Sequence, residues 1–121
     1  MGHDITAIRD YTKYNNFWKT KNCLENAEKM RLKLVIAYLR RSMNSETIHK
    51  FYKFIYSKND NGVSGSGASE IINLDTLKEA LQKVKDSDFD EEDKKDYSDF
   101  LKKCVKWCKK EKKAGVIIQF G

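Results

Sequence analysis

Proline is absent from all 121 residues. No X–Pro bond can therefore kink a helix, stiffen a loop or isomerise slowly. Cysteine is scarce: Cys23, Cys104 and Cys108 are odd in number and lack framework spacing. That pattern points to free thiols in a reducing, intracellular compartment. No run approaches the roughly 18 apolar residues of a membrane helix, so no membrane partner is expected. The opening MGHDITAIRD lacks the charged-then-apolar layout of a secretion signal. Gly2 with Thr6 matches the myristoylation pattern only loosely.

What is present is enough for one domain spanning 1–121. Hydrophobic residues make up 40% of the chain, which lets a domain of this size bury a core without staples. The net charge is +6, and it is unevenly placed. The first 58 residues carry 12 Lys and Arg against 5 Asp and Glu, whereas the remainder carries 12 against 13. The N-terminal half is thus the half to suspect of meeting an acidic partner.

The most apolar stretch is Leu32–Met43, LKLVIAYLRRSM. Both alternating sets are apolar from Leu34 to Leu39, the pattern of an inner strand covered on two faces. A helix is the competing assignment, because short apolar runs do not resolve by periodicity. Val35, Ile36 and Tyr38 favour the strand. Arg40 and Arg41 then point to opposite faces near the end of the sheet. Gly2–Ile8 alternates weakly and suits a first strand. Residues 10–30 form an irregular or helical excursion, with Asn22 placed to cap a short helix over Leu24, Ala27 and Met30.

Asn44 or Ser45 caps a helix to Tyr56, whose Ile48, Phe51, Tyr52 and Ile55 make one apolar stripe. Residues 57–69, with three glycines, read as a flexible Gly/Ser loop. Asp75 opens a helix carrying Leu77, Ala80, Leu81 and Val84 inward. Asp88 and Glu91 have capping-box spacing for a last helix. It has Tyr97, Phe100, Leu101, Cys104 and Cys108 on one face, acidic first turns and lysine-rich last turns. Val116–Phe120 is a final strand, with the central stretch as its most apolar available neighbour. The order predicts an α+β two-layer sandwich: a small, mainly antiparallel sheet of three or four strands packed against about three helices.

The pieces Gly2-His3-Asp4-Ile5, Ile36-Ala37-Tyr38-Leu39-Arg40-Arg41-Ser42-Met43, Asn61-Gly62-Val63-Ser64-Gly65 and Ile118-Gln119-Phe120-Gly121 resemble a group of small proteins. These come from phages, large DNA viruses and some bacteria, open with GHDI and close with FG. The resemblance implies a compact fold and a viral or mobile-element setting, in the cytoplasm of the producing or infected cell or in the virion. It implies no mechanism. The chain departs from the pattern in residues 10–30, where the resemblance implies a tight connection.

Few constellations suit chemistry. The Gly-rich loop is no P-loop, since no lysine follows Gly67 until Lys78. It is no EF-hand either, since Ala68 would stand where a bidentate Glu belongs. Cys104 and Cys108, one helical turn apart, would need His3 or His49 to complete a zinc site; core packing is the simpler role. Nothing orients either histidine as a base for a Cys–His pair. His3 and Asp4 beside Arg40 or Arg41 could form a small acid–base or anion site, against the plainer alternative of an Asp–Arg pair at the sheet's end. Seven lysines in Lys102–Lys113 line the solvated side of a helix. Tyr14, Phe17 and Trp18 among Lys13, Lys19 and Lys21 have the composition that holds single strands, although such aromatics also cover cores.

The chain therefore reads first as a non-enzymatic interaction module without cofactor or metal, binding a host or viral protein. The binding candidates are His3, Asp4, Tyr14, Phe17, Trp18, Lys19, Arg40 and Arg41. The alternative is a nucleic-acid-binding protein that uses the basic and aromatic N-terminal half. A third reading is a small enzyme at His3, Asp4 and Arg40. An uncovered edge of the small sheet would also allow a homodimer.

Overall fold

The computed structural model describes residues 2–42, 45–57 and 69–121. Its elements run β1 (Gly2–Ile8), α1 (Tyr11–Phe17), α2 (Cys23–Leu34), β2 (Val35–Ser42), α3 (Glu46–Phe54), β3 (Ser69–Asn73), α4 (Leu74–Asp86), α5 (Glu91–Lys110) and β4 (Gly115–Phe120). The four strands form one antiparallel sheet in the order β2-β1-β4-β3. This is the predicted α+β class.

Strand alternation divides the sheet into two faces. On one face His3, Ile5 and Ala7 of β1 lie beside Arg41, Leu39 and Ala37 of β2. Ile5 and Ala7 also lie beside Phe120 and Ile118 of β4. Helices α3, α4 and α5 cover this face and enclose the main core. The α3 stripe enters it whole, with Ile48, Phe51, Tyr52 and Ile55 all buried. Each such side chain contributes roughly 1.5–3 kcal/mol of transfer free energy. Leu77, Ala80 and Val84 of α4 and Tyr97, Phe100, Leu101, Cys104 and Cys108 of α5 complete the core.

Helix ends follow the sequence with small shifts. The predicted cap of α4 moves from Asp75 to Asn73, whose side chain accepts from Thr76 N–H at 2.8 Å. That of α5 moves from Asp88 to Asp90, which accepts from Asp93 N–H at 2.8 Å. Ser45 stands at the N-cap of α3 and Asn22 at that of α2, each without a side-chain capping bond. Helices α3 and α5 both end through a left-handed residue, Tyr56 and Lys112, each with φ 55°. The following N–H groups, of Ser57 and Lys113, reach back to the Tyr52 and Cys108 carbonyls at 2.9 and 2.8 Å. This closure satisfies carbonyls that a helix end leaves open.

Four expectations need correction. Leu32 to Leu34 belong to α2, and the strand begins at Val35. Leu32 is 79% exposed, so its apolar character does not mark an inward face. The stretch itself is an edge strand, since β1 and β4 occupy the middle of the sheet. Its second apolar set is only partly covered, and a bulge opposite Ala7 and Ile8 turns Ile36 toward the main core. The last strand pairs with β1 and β3 rather than with the central stretch. In addition, β3 arises at Ser69–Asn73, where the sequence showed a loop running into a helix. The rest of that loop, 58–68, lies outside the described residues, as do Asn44 and the resembling piece 61–65.

The 10–30 excursion is helical, as one of its two readings held. Asp10 caps α1 by accepting from Lys13 N–H at 3.0 Å. The α1–α2 hairpin lies over the second sheet face and builds a small core of its own from Ile8, Tyr14 and Met30, flanked by Tyr11, Phe17, Trp18, Leu34 and Val35.

Candidate functional site

The second sheet face is crossed by three rows of side chains. Val35, Ile8, Ile117 and Ile71 form the first, and the hairpin covers its Ile8. Tyr38, Thr6, Gln119 and Ser69 form the second. Arg40, Asp4 and Gly121 form the third. Between the hairpin and these last two rows lies an open cleft of about 750 Å³. Asp4, Thr6, Tyr38, Arg40, Gln119 and Gly121 make its floor, and Tyr14, Trp18, Glu28, Arg31 and Leu32 make its wall. The hairpin is tied at its root: Arg9 N–H donates to Leu34 C=O at 2.7 Å, and Ser69 Oγ donates to the Tyr11 hydroxyl at 3.3 Å.

The floor is electrostatically linked. Tyr38 donates its hydroxyl proton to Asp4 Oδ1, and Arg40 Nε lies 3.9 Å from the same oxygen. Partial burial and then the bond to Asp4 raise the Tyr38 pKa above its ordinary value, so Tyr38 stays a neutral donor. Along the wall the Arg31 guanidinium lies over the Trp18 ring, 5.8 Å from its centroid, a cation–π arrangement. Trp18 is held edge-on by Tyr14 and Phe17 at centroid distances of 5.9 and 5.1 Å. Floor and wall thus each carry one guanidinium and one carboxylate, Arg40 with Asp4 on the floor and Arg31 with Glu28 on the wall of an aromatic and hydroxyl-lined cleft.

Of the candidate residues read from the sequence, the fold brings Asp4, Tyr14, Trp18 and Arg40 together in this cleft. Phe17 is half-buried in the hairpin core and Lys19 is exposed in the turn after α1. His3 and Arg41 lie on the opposite face of the sheet, so His3 and Asp4 share no site. His3 is fully buried, with Nδ1 2.8 Å from the Tyr52 hydroxyl and its ring edge-on to His49 at 5.6 Å. Its Nε2 has no hydrogen-bond partner among the described residues. Burial, and then the neighbouring His49, hold the His3 pKa below its ordinary value against the pull of Asp4. Burial, and then the nearby Tyr97 and Asp4, push the Tyr52 hydroxyl up to about 12. The pair is a neutral core contact.

Arg41 joins β2 to the start of α5. Its Nε and Nη2 reach Asp93 Oδ1 at 3.0 Å each, and Nη2 reaches Asp96 Oδ2 at 2.8 Å. The guanidinium carbon sits 4.9 Å from the Tyr97 ring centroid. Cys104 and Cys108 pack in the main core. Among the described residues no group of three His, Cys, Asp or Glu side chains could hold a metal ion, and no helix is long and apolar enough to cross a membrane.

Sequence reasoning missed Thr6, Glu28, Arg31, Leu32, Val35, Tyr38, Gln119 and Gly121 as lining residues. Strand alternation from Asp4 marks Thr6 as its face-mate, but Gln119 joins them only through the β1–β4 register. Glu28, Arg31 and Leu32 share one exposed side of α2, and nothing local shows that this side overlooks the sheet. No family model, no curated protein and no solved structure matches the chain.

Proposed function

We propose that this chain is a non-enzymatic interaction module that binds a protein partner through the cleft between the hairpin and the sheet. The observation that carries the proposal is the balance of the lining, where Arg31 and Arg40 stand against Asp4 and Glu28 among Trp18, Tyr38 and Leu32. A nucleic-acid strand presents phosphates of one sign, and its binding sites carry a clear excess of Lys and Arg. A lining that carries both signs beside aromatic anchors suits a protein segment that also carries both. The disposition of Tyr14 and Phe17 points the same way, since Tyr14 is buried and Phe17 half-buried in the hairpin core, which leaves them little ring face for stacking bases. The resemblance of the GHDI and FG pieces supports reading it as a viral or mobile-element module that acts inside the producing or infected cell on a host or viral protein.

The test is affinity capture from host lysate with and without nuclease, followed by cross-linking to locate the contact. Arg31→Glu and Leu32→Asp change exposed side chains of the wall and leave both cores intact. A partner that survives nuclease, cross-links to the wall or floor and is lost with both variants supports the reading. Partners that vanish with nuclease, or cross-link only elsewhere, overturn it.

A further inference from the structure

The outer edge of β2 is built to receive another strand. Asp4 gives both its N–H and its C=O to Gly121 of β4, at 3.1 and 2.8 Å. Backbone groups alternate along a strand, so Asp4 and Thr6 face β4 while His3, Ile5 and Ala7 face β2. Their partners Arg41, Leu39 and Ala37 close the β1–β2 ladder. Tyr38 and Arg40 consequently turn their N–H and C=O groups away from the sheet. Arg41 Nη1 donates to the Arg40 carbonyl at 2.8 Å, which leaves that oxygen a second lone pair. Farther along, at Ser42, the edge closes on its own chain, since the Ser42 carbonyl accepts from Ser45 N–H at 3.0 Å; the stretch offered to another strand is Tyr38 to Arg40.

A groove of about 300 Å³ runs along the same edge, lined by residues 37–41 and by Asp96, Asp99, Phe100 and Lys103 of α5. The helix passes from Asp96, bound to Arg41, toward Lys103. It therefore runs opposite to β2, with carboxylates at one end of the groove and an ammonium at the other. A strand of one charge sign would leave half of this lining unmatched.

We propose that a second copy of this chain adds its own β2 to this edge, antiparallel, about a two-fold axis at Leu39. The axis reverses the order of charges, so Lys103 of the second copy comes level with Asp96 and Asp99. On the other face Tyr38 stands opposite the second copy's Arg40, a cation–π pair made twice. Leu39 meets its own equivalent on the helix side. The contact is isologous and closed, and it joins two four-stranded sheets into one. Tyr38, 56% exposed at the present edge, becomes covered. The contact shares Tyr38 and Arg40 with the floor of the proposed cleft, whereas the groove and Lys103 lie on the α5 side of β2, so Lys103→Glu tests the dimer without touching the cleft.

Sedimentation over a concentration series tests it, with the wild type beside Lys103→Glu and Tyr38→Pro. Proline at position 38 removes an outward N–H and leaves the β1–β2 ladder its bonds. The wild type is expected to form a dimer, Tyr38→Pro to abolish it, and Lys103→Glu to weaken it roughly tenfold or more. A chain that stays monomeric up to about 1 mM, where even a weak pair is populated, overturns the proposal. So does a dimer indifferent to both substitutions, which places the contact on another surface. Lys103 is exposed, so its variant decides the matter even where the proline disturbs folding.

Discussion

Asp4 and Gly121 exchange two backbone hydrogen bonds, Asp4 N–H to Gly121 C=O at 3.1 Å and Gly121 N–H to Asp4 C=O at 2.8 Å. The opening GHDI and the closing FG are thereby adjacent rungs of one ladder, with Ile5 beside Phe120. Phe120 is buried edge-on against Tyr52, at a centroid distance of 5.5 Å. Phe120→Ala should cost about 3–5 kcal/mol in urea unfolding. A loss below about 1 kcal/mol would mean that this end of the ladder does not hold the core.

Stability should fall on acidification in a way that depends on His3. The fold holds its imidazole below the ordinary value of 6.5. Between the folded pKa and 6.5, the unfolded chain therefore binds a proton that the folded chain does not. Stability is then full above about pH 6.5 and declines below it, until the folded pKa is passed. His3→Gln should flatten the urea midpoint between pH 7.5 and 5.5 relative to the wild type; equal slopes would contradict the assignment.

Arg41 contacts two carboxylates and a ring while its side chain is 17% exposed. Arg41→Ala removes those bonds and leaves Asp93 and Asp96 facing one another, at a cost of roughly 2–3 kcal/mol. Arg41→Lys should recover only part of this, since an ammonium cannot fork between two carboxylates. Thermal midpoints of the three proteins give the ranking.

At Gly115 a Cβ would lie 2.6 Å from the Ile72 carbonyl oxygen and 2.9 Å from Asn73 Cα. Gly115→Ala must therefore push β3 from β4, and about 1–3 kcal/mol of stability should be lost. Hydrogen exchange would localise the damage: amides of β3 and β4 should exchange faster while those of α5 keep their protection.

Thiol labelling should separate the three cysteines. Burial, with the neighbouring Cys108, raises the Cys104 pKa, and burial raises that of Cys108, whereas Cys23 is only half-buried. Native protein should react at Cys23 alone, and denatured protein at all three. Rapid native labelling of Cys104 would show that the α5 face opens.

Much of the fold was legible because periodicity reports burial. The stripe Ile48, Phe51, Tyr52, Ile55 and the face Tyr97 to Cys108 enter the core as written. The α2–β2 junction was not legible, because Leu32 and Leu34 continue the apolar alternation of the strand while the backbone is still helical. Strand β3 escaped notice because Ser69–Asn73 is short and Ile71, 75% exposed, gives no inward pattern. Asp4, Trp18 and Arg40 were each visible as candidates. Their convergence depends on the β1–β2 pairing and on where the hairpin lands, which no local spacing encodes.

The sheet divides a large interior from a small one, and the two depend on different stretches of chain. Apart from Ile8 and Val35 of the strands, the small interior is filled by residues of the hairpin itself. Substitutions along residues 10–34 can thus reshape one wall of the cleft while β4 and the three covering helices keep their packing. With the cleft as the proposed binding surface, recognition would be free to drift faster than the fold, and related chains would then diverge first in what they bind and last in how they are built.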